Sequence, residues 1–257
     1  VRLDAPIRLA DVPVREADVS LPLGGDVRGI PLDAKKRHLE SLNALMLGRD
    51  RRVVDTQAAY RDEVVEYWYA NSEGTMLFEL RPEVTLSAVA VARDQGTIER
   101  ALEPLGRRSG WDAVQHREDQ FLAAADRAVA LLGAPRVRGG SYPVVLDPKL
   151  AGVFVHEAFG HLSEADFVYE NPQAREMMTL GRRFGGPDLT IGDDGSAAAL
   201  RGTLPYDDEG TPTRNTVLIQ NGVLVGRLHS RETAAKMQEA PTGNARALSF
   251  RHPPIVR

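Results

Sequence analysis

The sequence contains no cysteine. Disulfides are thereby excluded, and so is any thiolate from these residues as nucleophile or metal ligand. The absence fits a reducing compartment, and a cytoplasmic protein is the expectation. No apolar run approaches the roughly 18 residues of a membrane-spanning helix. The opening residues, Val1-Arg2-Leu3-Asp4, lack the charged-then-apolar order of a signal peptide. Basic stripes are missing too. The 32 Lys and Arg residues are interspersed among 36 Asp and Glu, for a net charge of −4. Neither nucleic acid nor membrane is therefore an expected partner. An initiator Met is absent, and His252-Pro-Pro-Ile-Val-Arg257 reads as a strand about to begin, so both ends are expected to be cut.

What is present suits a folded protein. Hydrophobic residues make up 42% and charged residues 26% of 257, enough for one large domain or two modest ones. Residues 1–30 are rich in Pro and Gly and read as an extended lead-in. Over 31–48, Leu39, Leu42, Leu45 and Met46 recur at helical spacing, with Gly48 as a stop. From 51 to 94 the pattern is β, with strands expected at Val64–Tyr69, Met76–Leu80 and Thr85–Ala92. A second helix is expected at 115–132, carrying Phe121, Leu122, Ala125, Val129 and Leu132 on one face. A short strand, Tyr142–Leu146, should precede a helix capped by Asp147, with Pro148 in its first position and an end near Glu164. Beyond 187 the chain reads as β again. Asn221-Gly222 between the apolar runs of Val217–Val225 is a strong hairpin signal.

The fold class expected is therefore α+β. An antiparallel meander with packed helices should come first, then a central motif-bearing helix, then a mostly antiparallel β region. Residues 1–135 would form a partial N-terminal α+β region. Residues 136–257 would hold the motif helix and the start of a truncated β-rich C-terminal domain.

That helix carries His156-Glu157-Ala158-Phe159-Gly160-His161. Neutral imidazoles suit Zn2+, and a Glu beside the first ligand can deprotonate water. The histidines are five apart, which places them roughly 140° apart on a regular helix, too far to chelate one ion. A single π turn, bonded i→i+5, would bring them onto one face, and Gly160 would ease the distortion. On spacing alone the pair reads equally well as ordinary structural histidines. His38, His116, His229 and His252 have no ligand spacing and read as structural. Asp207-Asp208-Glu209-Gly210 is too short for a calcium loop and reads as a plain turn.

The wider segment is more specific. Pro143 to His161, then Glu164-Ala-Asp166, resembles the signature helix of the TldD/PmbA metallopeptidase family. The resemblance continues through Asp193-Asp-Gly-Ser196, Arg201-Gly-Thr203, Asp207 to Pro212, the Val217–Val225 hairpin and Pro241 to Arg246. It is dense from about 140 to 257 and diffuse before that. It implies an α+β protein in which a zinc-bearing catalytic subunit pairs with a homologous PmbA-like subunit, or with itself, and cleaves small or unfolded peptides in an enclosed chamber. It also implies His156 and His161 as zinc ligands and Glu157 as general base. Keeping all three, the chain resembles the TldD-like subunit. The family's third ligand, a Cys near the C-terminus, has no counterpart here, so this stretch alone is expected to be inactive or weak. Glu164 or Glu176 could substitute, although the acidic residues at 164–176 are expected to pair with Arg175, Arg182 and Arg183 or to be solvated. Two other readings stand beside this one: a non-catalytic assembly or regulatory subunit, and a zincin of the dipeptidyl-peptidase III type. The latter should have a Glu-bearing helix downstream.

Overall fold

The structure is a computed structural model describing residues 6–257, so the opening residues of the lead-in lie outside the described residues. Its first half is built on a long hairpin. Strands β2 (Val53–Ala70) and β3 (Met76–Asp94) pair antiparallel from Val53↔Ala92 to Ala70↔Met76. A short β1 (Glu16–Asp18) joins β3 in parallel at Met76–Phe78, and β4 (Thr97–Arg107) joins it antiparallel from Asp94↔Thr97 to Val84↔Arg107.

One face of β3 carries Val84, Leu86, Ala88, Ala90 and Ala92, all fully buried. The alternation is the two-residue period of a half-covered sheet. Two helices supply the cover. From α1 (Leu32–Leu47) come Leu42 and Met46, and from α2 (Glu118–Leu131) come Phe121, Ala124, Ala125 and Ala128. Three successive alanines on β3 leave room for helix backbones to approach closely.

The strands expected at Met76–Leu80 and Thr85–Ala92 are one strand, despite Pro82 between them. The Leu80 amide points toward β1, donating to the Ser20 hydroxyl at 2.9 Å. Two residues on, the Pro82 nitrogen faces the same side, in the gap between β1 and β4, where no ladder bond is lost. Strand β4 escaped the sequence reading. Ile98 and Leu102 point outward at 59% and 55% exposure while the smaller Ala101 faces in, which blurs the alternation.

The second half begins at α3 (Pro148–Val155) and continues through two short helices, α4 (Ala165–Glu170) and α5 (Pro172–Met177). A small antiparallel sheet follows, of β5 (Ile191–Asp194), β6 (Asn215–Gln220) and β7 (Val223–Leu224). Helix α6 (Arg231–Met237) and the pair β8 (Ala245–Arg246) and β9 (Ile255–Val256) complete it. A second core gathers Phe159, Val168, Met178, Leu218, Ile219, Leu224, Leu228 and Val256. The strand expected at Tyr142–Leu146 is irregular instead, with Val144 73% exposed and Val145 fully so. Its apolar residues satisfy the β pattern, but no neighbouring strand among the described residues takes its backbone donors, and a lone strand has nothing to hold it.

Candidate metal centre

The Asp147 side chain accepts the Leu150 amide at 2.9 Å, and Pro148 occupies the first turn, so α3 starts where its capping residues dictate. The helix is not regular to its end. Residues His156–Gly160 form a π turn, with the His161 amide bonded to the His156 carbonyl five residues back. A short 3-10 turn (His161–Ser163) follows. The wider turn rotates His161 back over His156. Their rings lie 4.4 Å apart, centroid to centroid, at 68°. One ligand atom from each of His156, Glu157 and His161 falls within 4.8 Å of the others.

Gly160 is not what permits this turn. Its φ and ψ are −54° and −54°, ordinary helical values, and a Cβ there would meet its nearest neighbour, His156 Nδ1, at 3.7 Å. Phe159 does more. It is buried and packs edge-on against Phe184, with centroids 5.5 Å apart. The Ser163 hydroxyl donates to the Phe159 carbonyl at 3.1 Å. Beyond it, Leu228 and the 163–165 backbone exchange bonds, Leu228 N–H to the Ser163 carbonyl and Ala165 N–H to the Leu228 carbonyl, both 2.9 Å. The π turn thus hangs on the second core by one aromatic anchor and a backbone latch. His156 and Glu157 are left exposed and His161 half-buried.

Glu164 is placed for orientation. Its Oε1 lies 2.8 Å from His161 Nδ1, so the ring donates from Nδ1 and keeps Nε2 free as an acceptor, as metal-ligating histidines do. Glu176 is exposed on α5 and lies outside the cluster. Of the two expectations for the acidic stretch, solvation holds for Glu176 and pairing does not occur: Arg175, Arg182 and Arg183 donate instead to the carbonyls of Tyr169, Met177, Gly185 and Asn221.

The other histidines are held elsewhere. His38 Nε2 meets the Val114 carbonyl at 3.2 Å, and His252 Nδ1 meets the Ser249 hydroxyl at 3.0 Å. His116 is exposed in left-handed backbone. His229, 1% exposed, lies 3.1 Å from both Thr233 Oγ1 and Glu239 Oε2. Asp207 holds its acidic turn together from within, accepting the amides of Glu209, Thr211 and Ala245 at 2.8–3.0 Å. Burial pushes that carboxyl upward, and the three amides oppose the rise.

The donor set fits a borderline ion such as zinc: two imidazoles, one with its tautomer set from behind, and an adjacent carboxylate. No helix among the described residues is long and apolar enough to cross a membrane.

Comparison with known proteins places the chain in a family. The family described as the PmbA/TldA metallopeptidase central domain matches residues 25–134, and that described as the PmbA/TldA metallopeptidase C-terminal domain matches 139–257. A metalloprotease of Synechocystis is 45% identical over 245 residues, covering 95% of this chain and 53% of its own length. A protein of Saccharolobus solfataricus named zinc metalloprotease TldD homolog is 30% identical over 247 residues, covering 93% and 55%. The chain thus spans about half the length of these relatives. Its fold is shared by a Thermotoga maritima crystal structure at a TM-score of 0.77 and 24% identity, covering 97% of this chain and 56% of that one. TldE from Thermococcus kodakarensis shares it at 0.64 and 18%, covering 100% and 56%. With both halves of the sequence matched and the signature helix folded around a metal-competent cluster, the chain belongs to the TldD/PmbA metallopeptidase family.

Proposed function

We propose that the chain is the zinc-bearing, TldD-like part of a cytoplasmic metallopeptidase that hydrolyses peptide bonds in small or unfolded peptides. The observation that carries this reading is the π turn, which makes one cluster of His156, Glu157 and His161 from a spacing that a regular helix would scatter. His156 and His161 would hold the metal. When bound, zinc supplies Lewis acidity, which polarises a carbonyl and acidifies water. Glu157, one residue from the first ligand, takes the proton of the attacking water on its carboxylate and passes it to the departing amine. Glu164 holds the His161 ring in its binding orientation.

With Glu157 reserved as base, two imidazoles remain as ligands, one fewer than zinc enzymes normally use. These 257 residues by themselves are therefore expected to hold zinc weakly and to cleave little. The natural partner is a homologous subunit, TldE-like, or a second copy, in keeping with the fold shared with TldE. The division of labour falls at about residue 135, with a structural α+β region before it and the motif-bearing region after.

The test uses the assembled peptidase. Glu157→Gln should retain zinc, measured by elemental analysis, and lower peptide hydrolysis by on the order of a hundredfold or more. His161→Ala should lose the zinc itself. Full activity in the Glu157→Gln protein would exclude this mechanism and favour a non-catalytic subunit.

A further inference from the structure

A second site lies away from the metal centre, in a cavity of about 500 Å3 between the long sheet and the second half of the chain. Five arginines from distant segments line it: Arg81 of β3, Arg108 just after β4, Arg201, Arg246 of β8 and Arg257. Two of them are engaged by acids. Arg81 donates to Glu79 at 2.7 Å and lies 3.6 Å over the Tyr67 ring. Arg201 donates to Glu83 at 2.6 Å. Arg108 and Arg246 are different. Among the described residues neither has a carboxylate within 4.0 Å, and each reaches only a backbone carbonyl, that of Arg201 at 3.1 Å and that of Gly202 at 3.4 Å. Burial pushes both guanidinium groups downward. Both are therefore partly desolvated guanidinium forks with no direct carboxylate partner, although the charges of Glu79 and Glu83 reach Arg108 and those of Asp193, Asp207 and Asp208 reach Arg246.

The aspartates on the same walls do not meet that need. Asp193 accepts from the Asn244 amide at 3.0 Å, and Asp194 from the amide and hydroxyl of Ser196 at 2.9 and 2.6 Å. Asp208 accepts from the Ala247 amide at 2.8 Å. Asp208 also lies 3.9 Å from Arg81, and none of the three comes within 4.0 Å of the Arg108 or Arg246 guanidinium. Glu79 and Glu83 answer Arg81 and Arg201, and the three aspartates equal the remaining arginines in number. The forks of Arg108 and Arg246 still lack a direct carboxylate, which suits a monoanion, whereas a phosphate dianion would meet the aspartate oxygens as well. A guanidinium fork also matches the plane of a carboxylate. Leu200, Leu204 and Ala247 add apolar wall, and the volume is that of an ordinary small-ligand site.

We propose that this cavity binds a peptide carboxylate, with Arg108 and Arg246 as its principal donors. The carboxylate is either the C-terminus of the peptide or an acidic side chain. The inference rests on the peptidase reading for the identity of the ligand as a peptide, but the binding itself needs no metal.

The test is calorimetric titration of the metal-free chain with three probes: N-acetyl-tetra-alanine as the free acid, the same peptide as its C-terminal amide, and that amide with Glu at its third position. Binding of either carboxylate-bearing peptide, with none of the neutral amide, is the expected result, and the probe that binds identifies the source of the carboxylate. Arg108→Met should weaken binding by about tenfold or more, the size of a lost charge-assisted hydrogen bond. Arg108→Lys, which preserves charge but loses the fork, should weaken it several-fold. Equal binding of all three peptides, unchanged affinity in both Arg108 variants, or tighter binding of inorganic phosphate than of the carboxylates would overturn the proposal. Carboxylate-dependent binding in an assembly that cleaves no peptide would support this site while sinking the peptidase reading. Cleavage indifferent to substrate carboxylates, with no binding of the three probes, would do the reverse.

Discussion

At the scale of single residues, Glu164 illustrates how position alone can mislead. Three residues beyond His161, it is a plausible third ligand by sequence, yet its carboxylate is bonded to the Nδ1 of that ring. Its contribution is then to hold tautomer and orientation, a role typically worth 10- to 100-fold in metal affinity. Glu164→Ala should accordingly weaken zinc binding by about that range in a competition titration. The fold should survive, because the latch to Leu228 runs through backbone atoms. Unchanged affinity would show that the ring needs no support from behind. The sequence holds no sign of this contact beyond the three-residue spacing, since whether Glu164 faces the ring or the ion depends on where the helix ends.

Among the elements, the π turn was legible because of a conflict. Two histidines five apart cannot serve one ion from a regular helix, so a metal reading demanded i→i+5 bonding, and that is the bonding found. The assumed help from Gly160 was not needed. Its backbone is helical and a methyl group has room. Gly160→Ala should therefore leave the chain as stable or stabilise it by up to ~1 kcal/mol, the difference in helix propensity between the two residues. Urea unfolding would check this, and a marked loss of stability would mean that the turn relies on glycine after all. The hairpin at Asn221-Gly222 is the opposite case. Both residues have positive φ, 50° and 81°, and a Cβ on Gly222 would lie 2.2 Å from the Gly185 carbonyl oxygen. Here Gly222→Ala should destabilise by more than ~1 kcal/mol in the same assay.

For the molecule as a whole, the question is what joins the hairpin half to the motif half. The tip of the β2–β3 hairpin reaches across. The Tyr69 hydroxyl donates to the Glu209 carbonyl at 2.7 Å, and Arg231 of α6 forms a two-pronged pair with Glu73 at 2.6 and 2.7 Å. The Arg231 side chain is 4% exposed and Glu73 41%. Hydrogen bonding from Arg231 holds the Glu73 carboxyl below the usual carboxylate range. A carboxyl depressed by folding contributes stability above its unfolded value, and that contribution disappears as the pH falls through about 4 toward the folded value. Glu73→Gln should thus lower the urea midpoint at neutral pH, and its gap from the unaltered chain should close below about pH 4. A gap independent of pH would mean that the pair does not join the halves electrostatically.

What the sequence determined by itself was local. The Asp147-Pro148 cap, the Asn221-Gly222 turn, the apolar stripes of α1 and α2 and the identity of the metal-competent side chains are all set by residues within a few positions of one another. Their energies act over one or two turns of chain. Tertiary structure decided the rest. Whether Tyr142–Leu146 forms a strand depends on a neighbour from elsewhere in the chain, because a strand's hydrogen bonds lie outside itself. The anchoring of the π turn depends on Phe184 and Leu228, which lie 25 residues or more away from Phe159 in sequence. The convergence of Arg108 and Arg246 on one cavity depends on how two cores are set against each other, so no spacing within the chain announces it.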